Sequence, residues 1–184
     1  MKPLERPLRA DARRNRQQIV EAAREAFMID GIGVSLDEIA RRAGVGPGTV
    51  HRHFPTKKQL YDAIVALHLD ELRREAQAAL DGGDKDRGFF PYLTGLVGRA
   101  GPEQDVTEAL AAAGVEPGPG AQQAAAELRD VLGALLSAAQ ESGVVRSDVN
   151  AEDVRAVVVA ALAAQRYRGD DGRIADLILG CLRP

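Results

Sequence analysis

Residues 35–60 read SLDEIARRAGVGPGTVHRHFPTKKQL, and this run limits the possible folds more than any other part of the chain. Ser35 opens a capping box, with its side chain and that of Glu38, three residues on, each reaching a backbone N–H of the other. Leu36, Ile39, Ala40 and Ala43 fall on one helical face. Gly44 follows as a stop, because glycine takes the left-handed conformation that ends a helix. Pro47 suits the first position of a second helix, where a missing N–H costs nothing. Val50 and Phe54, four apart, turn back toward the first helix, which leaves Gly48, Thr49, His51 and Arg52 on a polar or bare face. Two short helices around a glycine turn, the second with a basic outer face, form the arrangement that places a helix in the major groove of DNA.

Ile39-Ala40, Ala43-Gly44-Val45, Gly48-Thr49-Val50, His53-Phe54 and Thr56-Lys57 with Leu60 together resemble the tetracycline-repressor family of bacterial regulators. So does the upstream helix with Ile19, Ala22, Ala23, Phe27 and Gly31. The resemblance covers residues 15–64. The chain departs from the family at Gly46, where Ser or Thr is frequent, and at His51, where an aromatic residue is usual. Glycine is an acceptable N-cap. The histidine changes what position 51 offers to DNA. The resemblance implies a homodimer, a ligand-responsive body and, most often, repression. Activation by the same architecture is the alternative.

Composition narrows the choice of partners. The net charge of −3 conceals an asymmetry: residues 1–60 hold 12 Lys+Arg and 7 Asp+Glu, and the other 124 hold 12 and 20. A basic first third on an acidic chain fits one DNA-facing module and opposes a non-specific DNA-coating protein, whose charge would be spread over the body. One cysteine makes no internal disulfide, the basic start lacks an apolar segment, and no run of 18 apolar residues occurs. A cytoplasmic protein without a membrane span is expected.

The helical periods predict an all-α fold in three parts: a disordered arm over 1–10, a three-helix DNA-binding head over 11–55, and a regulatory, ligand-binding and dimerisation domain over 56–184. The first helix is expected from Asp11 to Ile29. Thr56 caps a long helix that runs to about Leu80. Weaker helical signals follow at Phe89–Gly98 and Glu103–Ala113. Gly114–Gly120, with two prolines, reads as a mobile loop. Helices over Ala121–Ser142, after Asn150, and through Ile174–Leu182 complete the chain.

Candidate DNA contacts are Gly48, Thr49, His51, Arg52, His53 and Lys57. The seven residues 47–53 span about 10 Å, which fits a groove about 12 Å wide. Arg52 carries the fork that matches guanine O6 and N7. Thr49 meets a thymine methyl or a phosphate. His53 donates to a phosphate, and His51 to a phosphate or a base edge. Lys57 holds a phosphate at the start of its helix.

Ile64, His68, Leu72, Phe89 and Tyr92 are candidate lining of an effector pocket for a small lipophilic ligand. Val154, Val157, Val158, Ala161, Ile174 and Ile178 form the expected dimer interface. Cys181 lies in the apolar stripe of the last helix and is expected to be buried. His51 and His53 do not share a helix face, and no acid or cysteine cluster completes a metal site. Neither a cofactor nor an enzymatic activity is expected, since no nucleophile–base spacing, paired carboxylates or phosphate loop occurs. Asp84, Asp86, Asp170 and Asp171 read as loop and cap residues.

Overall fold

The computed structural model describes residues 5–82, 85–99, 116–168 and 173–184. Among these the fold is all-α, with no strand. The elements are α1 (Glu5–Asp30), α2 (Leu36–Arg42), α3 (Pro47–His53), α4 (Lys57–Asp81), α5 (Lys85–Gly98), α6 (Pro119–Glu141), α7 (Ala151–Arg168) and α8 (Arg173–Leu179). A 3-10 turn, Gly180–Leu182, closes the chain. The expected helix over Glu103–Ala113 lies outside the described residues, as do Asp84, Asp170 and Asp171.

Two compact units share these elements. The first takes the described parts of Met1–His68 and Gly101–Gln123. Its core is Ile19, Ala23, Phe27, Ile39, Val50, Phe54, Leu60 and Ile64, all at most 3% exposed. These are the apolar faces of α1, α2, α3 and the first two turns of α4. Phe27 and Tyr61 stack at 5.1 Å between ring centroids. The Tyr61 hydroxyl donates to Ile32 O at 2.9 Å, which pins the α1–α2 turn to α4.

The second unit takes Leu69–Ala100 and Ala124–Pro184. Phe89, Leu93 and Val97 of α5, Leu135 of α6, Ala161 of α7 and Leu179 of α8 lie at its centre. Phe89 and Phe90 meet edge to face at 5.4 Å. The Arg183 guanidinium covers Phe90 at 3.9 Å from the ring centre. Asn150 caps α7 as expected. Its side chain accepts from the N–H groups of Glu152 and Asp153 at 2.7 and 3.1 Å, and Asp153 accepts from Asn150 N–H at 2.9 Å.

Three expectations are corrected. Residues 5–10 are not a disordered arm: α1 starts at Glu5. Pro7 falls in the first turn of α1, where backbone N–H groups have no helical partner to lose. The expected Gly114–Gly120 loop, of which residues 114 and 115 lie outside the described residues, ends earlier than Gly120, because α6 begins at Pro119 and its start is tied down. The Asp62 carboxylate of α4 accepts from Gly120 N–H at 3.1 Å and from Ala121 N–H at 2.8 Å. A Cβ on Gly118 would stand 2.6 Å from Asp62 Cγ, and one on Gly120 2.9 Å from its Oδ2. Both glycines are therefore needed for the approach. Cys181, finally, is exposed. Ala175, Leu179 and Leu182 form the inward face at this end of the chain, and position 181 is turned outward by its step from 182.

Candidate nucleic-acid interface

The interface is built from the α2–α3 corner upward. Ser35 Oγ accepts from Glu38 N–H at 3.1 Å and starts α2. The return half of the expected box is replaced. The Glu38 carboxylate accepts from Arg41 Nε and Nη2 at 2.8 and 2.6 Å and from Arg42 Nε at 2.8 Å. Two guanidinium groups outcompete one backbone N–H, because bonds between ionised partners are the stronger kind. Those same bonds lower the Glu38 carboxyl from its ordinary 4.5 to about 2. Arg42 also reaches Asp30 at 2.6 Å, so one residue ties α2 to the end of α1.

Gly44 takes φ +66°, the left-handed backbone that the turn requires. Val45 N–H then closes onto Ala40 O at 3.0 Å. Gly46 stands at the N-cap of α3 with no side-chain bond, and Pro47 is at its start. Val50 and Phe54 are buried against α1 and α2. Their burial fixes the roll of α3 and turns the opposite face outward.

On that face Gly48, His51 and Arg52 are exposed, while Thr49 and His53 are half-buried. Arg52 has no hydrogen-bond or ion-pair partner among the described residues. His51 Nε2 stands 3.8 Å from Asp37 Oδ1, so a carboxylate of α2 is available to a protonated imidazole. The His53 ring lies against Phe54, with centroids 6.5 Å apart. Thr56 Oγ1 accepts from Gln59 N–H at 3.3 Å, which caps α4. Lys57 is half-buried, and its Nζ donates to Gly33 O at 3.1 Å. In the free protein this ammonium therefore already holds the α1–α2 turn.

The reading of the sequence missed three members of this corner. Arg16 of α1 lies over the Phe54 ring at 5.0 Å, and Tyr61 and Arg42 anchor the turns around it. All three contacts join residues distant in sequence, and no local spacing signals them.

The other candidate sites are placed less simply. Ile64 is in the core of the first unit; Phe89 and Tyr92 are in the core of the second, with Leu72 packed against it. His68, half-buried, is the last residue of the first unit's α4 segment. The Tyr92 hydroxyl donates to Leu72 O at 3.4 Å. Burial, with the negative charge of Glu75 adding, pushes that phenol up to about 12. Within the expected dimer interface, Val158 and Ala161 are buried in the core of the second unit. Val154, Val157 and Ile178 pack against that core, and Ile174 is half-buried. Val159 and Leu177 point out instead, 59% and 67% exposed. Valines at 154, 157, 158 and 159 leave the inward stripe ambiguous from spacing alone.

A short helix held rigidly by its apolar face, with a glycine, a histidine and an arginine outward, defines a helix-turn-helix DNA-binding protein. Residues 19–64 match the model of bacterial regulatory proteins of the TetR family. Residues 84–184 match the C-terminal domain of SbtR-like transcriptional regulators. The chain belongs to the TetR family and is a DNA-binding transcriptional regulator. It is 36% identical to a TetR transcription regulatory protein from Mycobacterium vanbaalenii, with a TM-score of 0.76 over 97% of this chain and 100% of that one. A γ-butyrolactone receptor is 25% identical, with a TM-score of 0.62 over 92% of this chain and 97% of that one. A helix-turn-helix regulator of Staphylococcus aureus is 39% identical over 64 residues, which are 34% of this chain. The match spans 35% of that relative's length. Among the described residues no helix is long and apolar enough to cross a membrane, and no group of three or more His, Cys, Asp or Glu side chains could hold a metal ion.

Proposed function

We propose that the protein is a homodimeric repressor that binds an inverted-repeat operator and leaves it when a small molecule binds. The observation that carries the reading is the outward face of α3, with Arg52 unpartnered among the described residues beside Gly48 and His51. Gly48 lets the backbone approach the groove, Arg52 reads a base edge, and Thr49, His51, His53 and Lys57 meet phosphates and sugar. Val159 and Leu177 support self-association, since exposed apolar side chains on a regulator's last helices are relieved of water by a second copy. In a two-fold dimer the two α3 helices must reach successive major grooves, about 34–36 Å apart.

Effector control is inferred from the family and from the γ-butyrolactone receptor, which its own name describes as binding a small lactone. The aromatic segment Phe89–Tyr92, with Leu72, supports a lipophilic ligand within the second unit. Such a ligand releases the operator only by binding the free dimer more tightly than the DNA-bound dimer, by the factor with which it weakens operator affinity.

Selection of duplexes from a random pool, followed by light scattering of the protein–DNA complex, tests the proposal. Palindromic sites with two protomers each are expected. Full-affinity binding of one protomer to a half-site would refute the dimeric reading.

A further inference from the structure

At the edge of the outward face of α3 stands a carboxylate, which DNA binding by itself opposes. Asp37 lies in the first turn of α2, and its Oδ1 is 3.8 Å from His51 Nε2. The Asp37 side chain is 75% exposed and that of His51 54%, so neither serves a core. An acid in a first helical turn favours the helix dipole. Beside His51 it also repels the phosphates that the same face must approach. Its neighbour Glu38 poses no such problem, because Arg41 and Arg42 take up its charge. Among the described residues, the partner of Asp37 is His51.

Histidine is the side chain whose charge ordinarily changes between about pH 5 and 8. Both ring nitrogens of an imidazolium carry N–H groups, so one can face Asp37 while the other donates to a phosphate oxygen. A neutral imidazole leaves the carboxylate bare toward DNA. The cations around α3 keep their charge over this range. Arg16 of α1 lies over Phe54, Arg52 follows His51 on α3, and Lys57 of α4 donates to Gly33 O. His53 is the other titrating group of α3, and its ring lies against Phe54.

We propose that Asp37 is a positioning residue for DNA recognition: it holds His51 as the imidazolium against the DNA backbone, so that each protomer takes up a proton on binding. The proposal rests on the DNA-binding reading of α3 and adds a proton to it. A bound state that holds more protons than the free state gains on it as pH falls. The aromatic residue usual at position 51 in the family brings no such charge, so the proton linkage belongs to the Asp37–His51 pair of this chain.

The test uses the full-length protein and a palindromic duplex selected from a random pool, with affinity measured at pH 6 and pH 8 over a range of salt concentrations. Wild-type affinity should fall by about tenfold or more from the lower pH to the higher, as one proton shifted by about one pH unit requires. The slope of log affinity against log salt should be steeper at the lower pH by about 0.9 per protomer. His51→Gln should abolish both differences, and His53→Gln should keep them. Asp37→Asn removes the repulsion together with the hold on the proton. It should bind more tightly than wild type at the higher pH and lose most of the pH difference. Thermal melts of the free proteins check the fold, since a merely helix-stabilising Asp37 would lower stability and affinity at both pH values alike. That uniform loss, equal wild-type affinity at the two pH values, or a pH difference that survives His51→Gln would each overturn the proposal. Failure of the wild type to select any duplex would instead strike the DNA-binding reading beneath it.

Discussion

Arg52 and Lys57 are both cations of the same corner, and the structure separates their roles. Arg52 is exposed and unpartnered among the described residues, whereas Lys57 holds Gly33 O. Arg52→Ala should relax preference at one base pair, by about 1–3 kcal/mol for a lost bidentate contact. Lys57→Ala should weaken all sequences alike and also loosen the α1–α2 turn. Competition binding against a panel of single-base variants separates the two. A changed base preference in Lys57→Ala would reverse the assignment. Glu38 supplies a pH prediction. Its folded carboxyl is lowered from 4.5 to about 2 by Arg41 and Arg42, so its contribution is present above 4.5 and lost as pH falls toward 2. Acid titration of stability should be less steep in Glu38→Gln over that window. The difference should shrink in high salt, because these groups are solvent-screened.

Among the elements, α3 depends on burial and α6 on a cap. Phe54 is 1% exposed and serves α1, α2 and α3 together, so Phe54→Ala should cost about 3–5 kcal/mol. Urea unfolding of the full chain measures it. Asp62 caps α6 from another helix, a role usually filled by a residue just before the helix. Asp62→Ala should cost about 0.5–2 kcal/mol, the range for a lost N-cap. Gly118→Val should disturb the same contact by crowding Asp62. Amide exchange at Gly120 and Ala121 is the direct readout, and unchanged protection in Asp62→Ala would show that the carboxylate is not what holds α6. The capping residues Ser35, Thr56 and Asn150 were legible because a cap is local: oxygen and N–H lie within three residues. Asp62 was not, since 58 residues separate it from Gly120.

At the scale of the whole molecule, self-association and core stability should respond to different residues of the same two helices. Leu177→Glu and Val159→Glu change exposed positions and should yield folded monomers. Val158→Glu places an unpaired carboxylate in a core and should unfold the second unit instead. Light scattering beside thermal melts distinguishes these outcomes. A Leu177→Glu/Val159→Glu protein that stays dimeric would place the interface elsewhere.

Local pattern determined the helix-turn-helix, its caps and its outward face. Helical period, a capping hydroxyl and a glycine stop act over three or four residues, and Val50 with Phe54 leaves only one way to roll α3. The same locality made the all-α class readable along the chain. Tertiary structure alone decided which stripe of α7 faces inward, that Cys181 is exposed, that Ile64 and Tyr92 serve separate cores, and that Asp62 and Arg16 reach across to other helices. Each of those outcomes depends on which surfaces meet in space. An alanine- and valine-rich helix offers several nearly equivalent apolar faces, and its periodicity does not rank them.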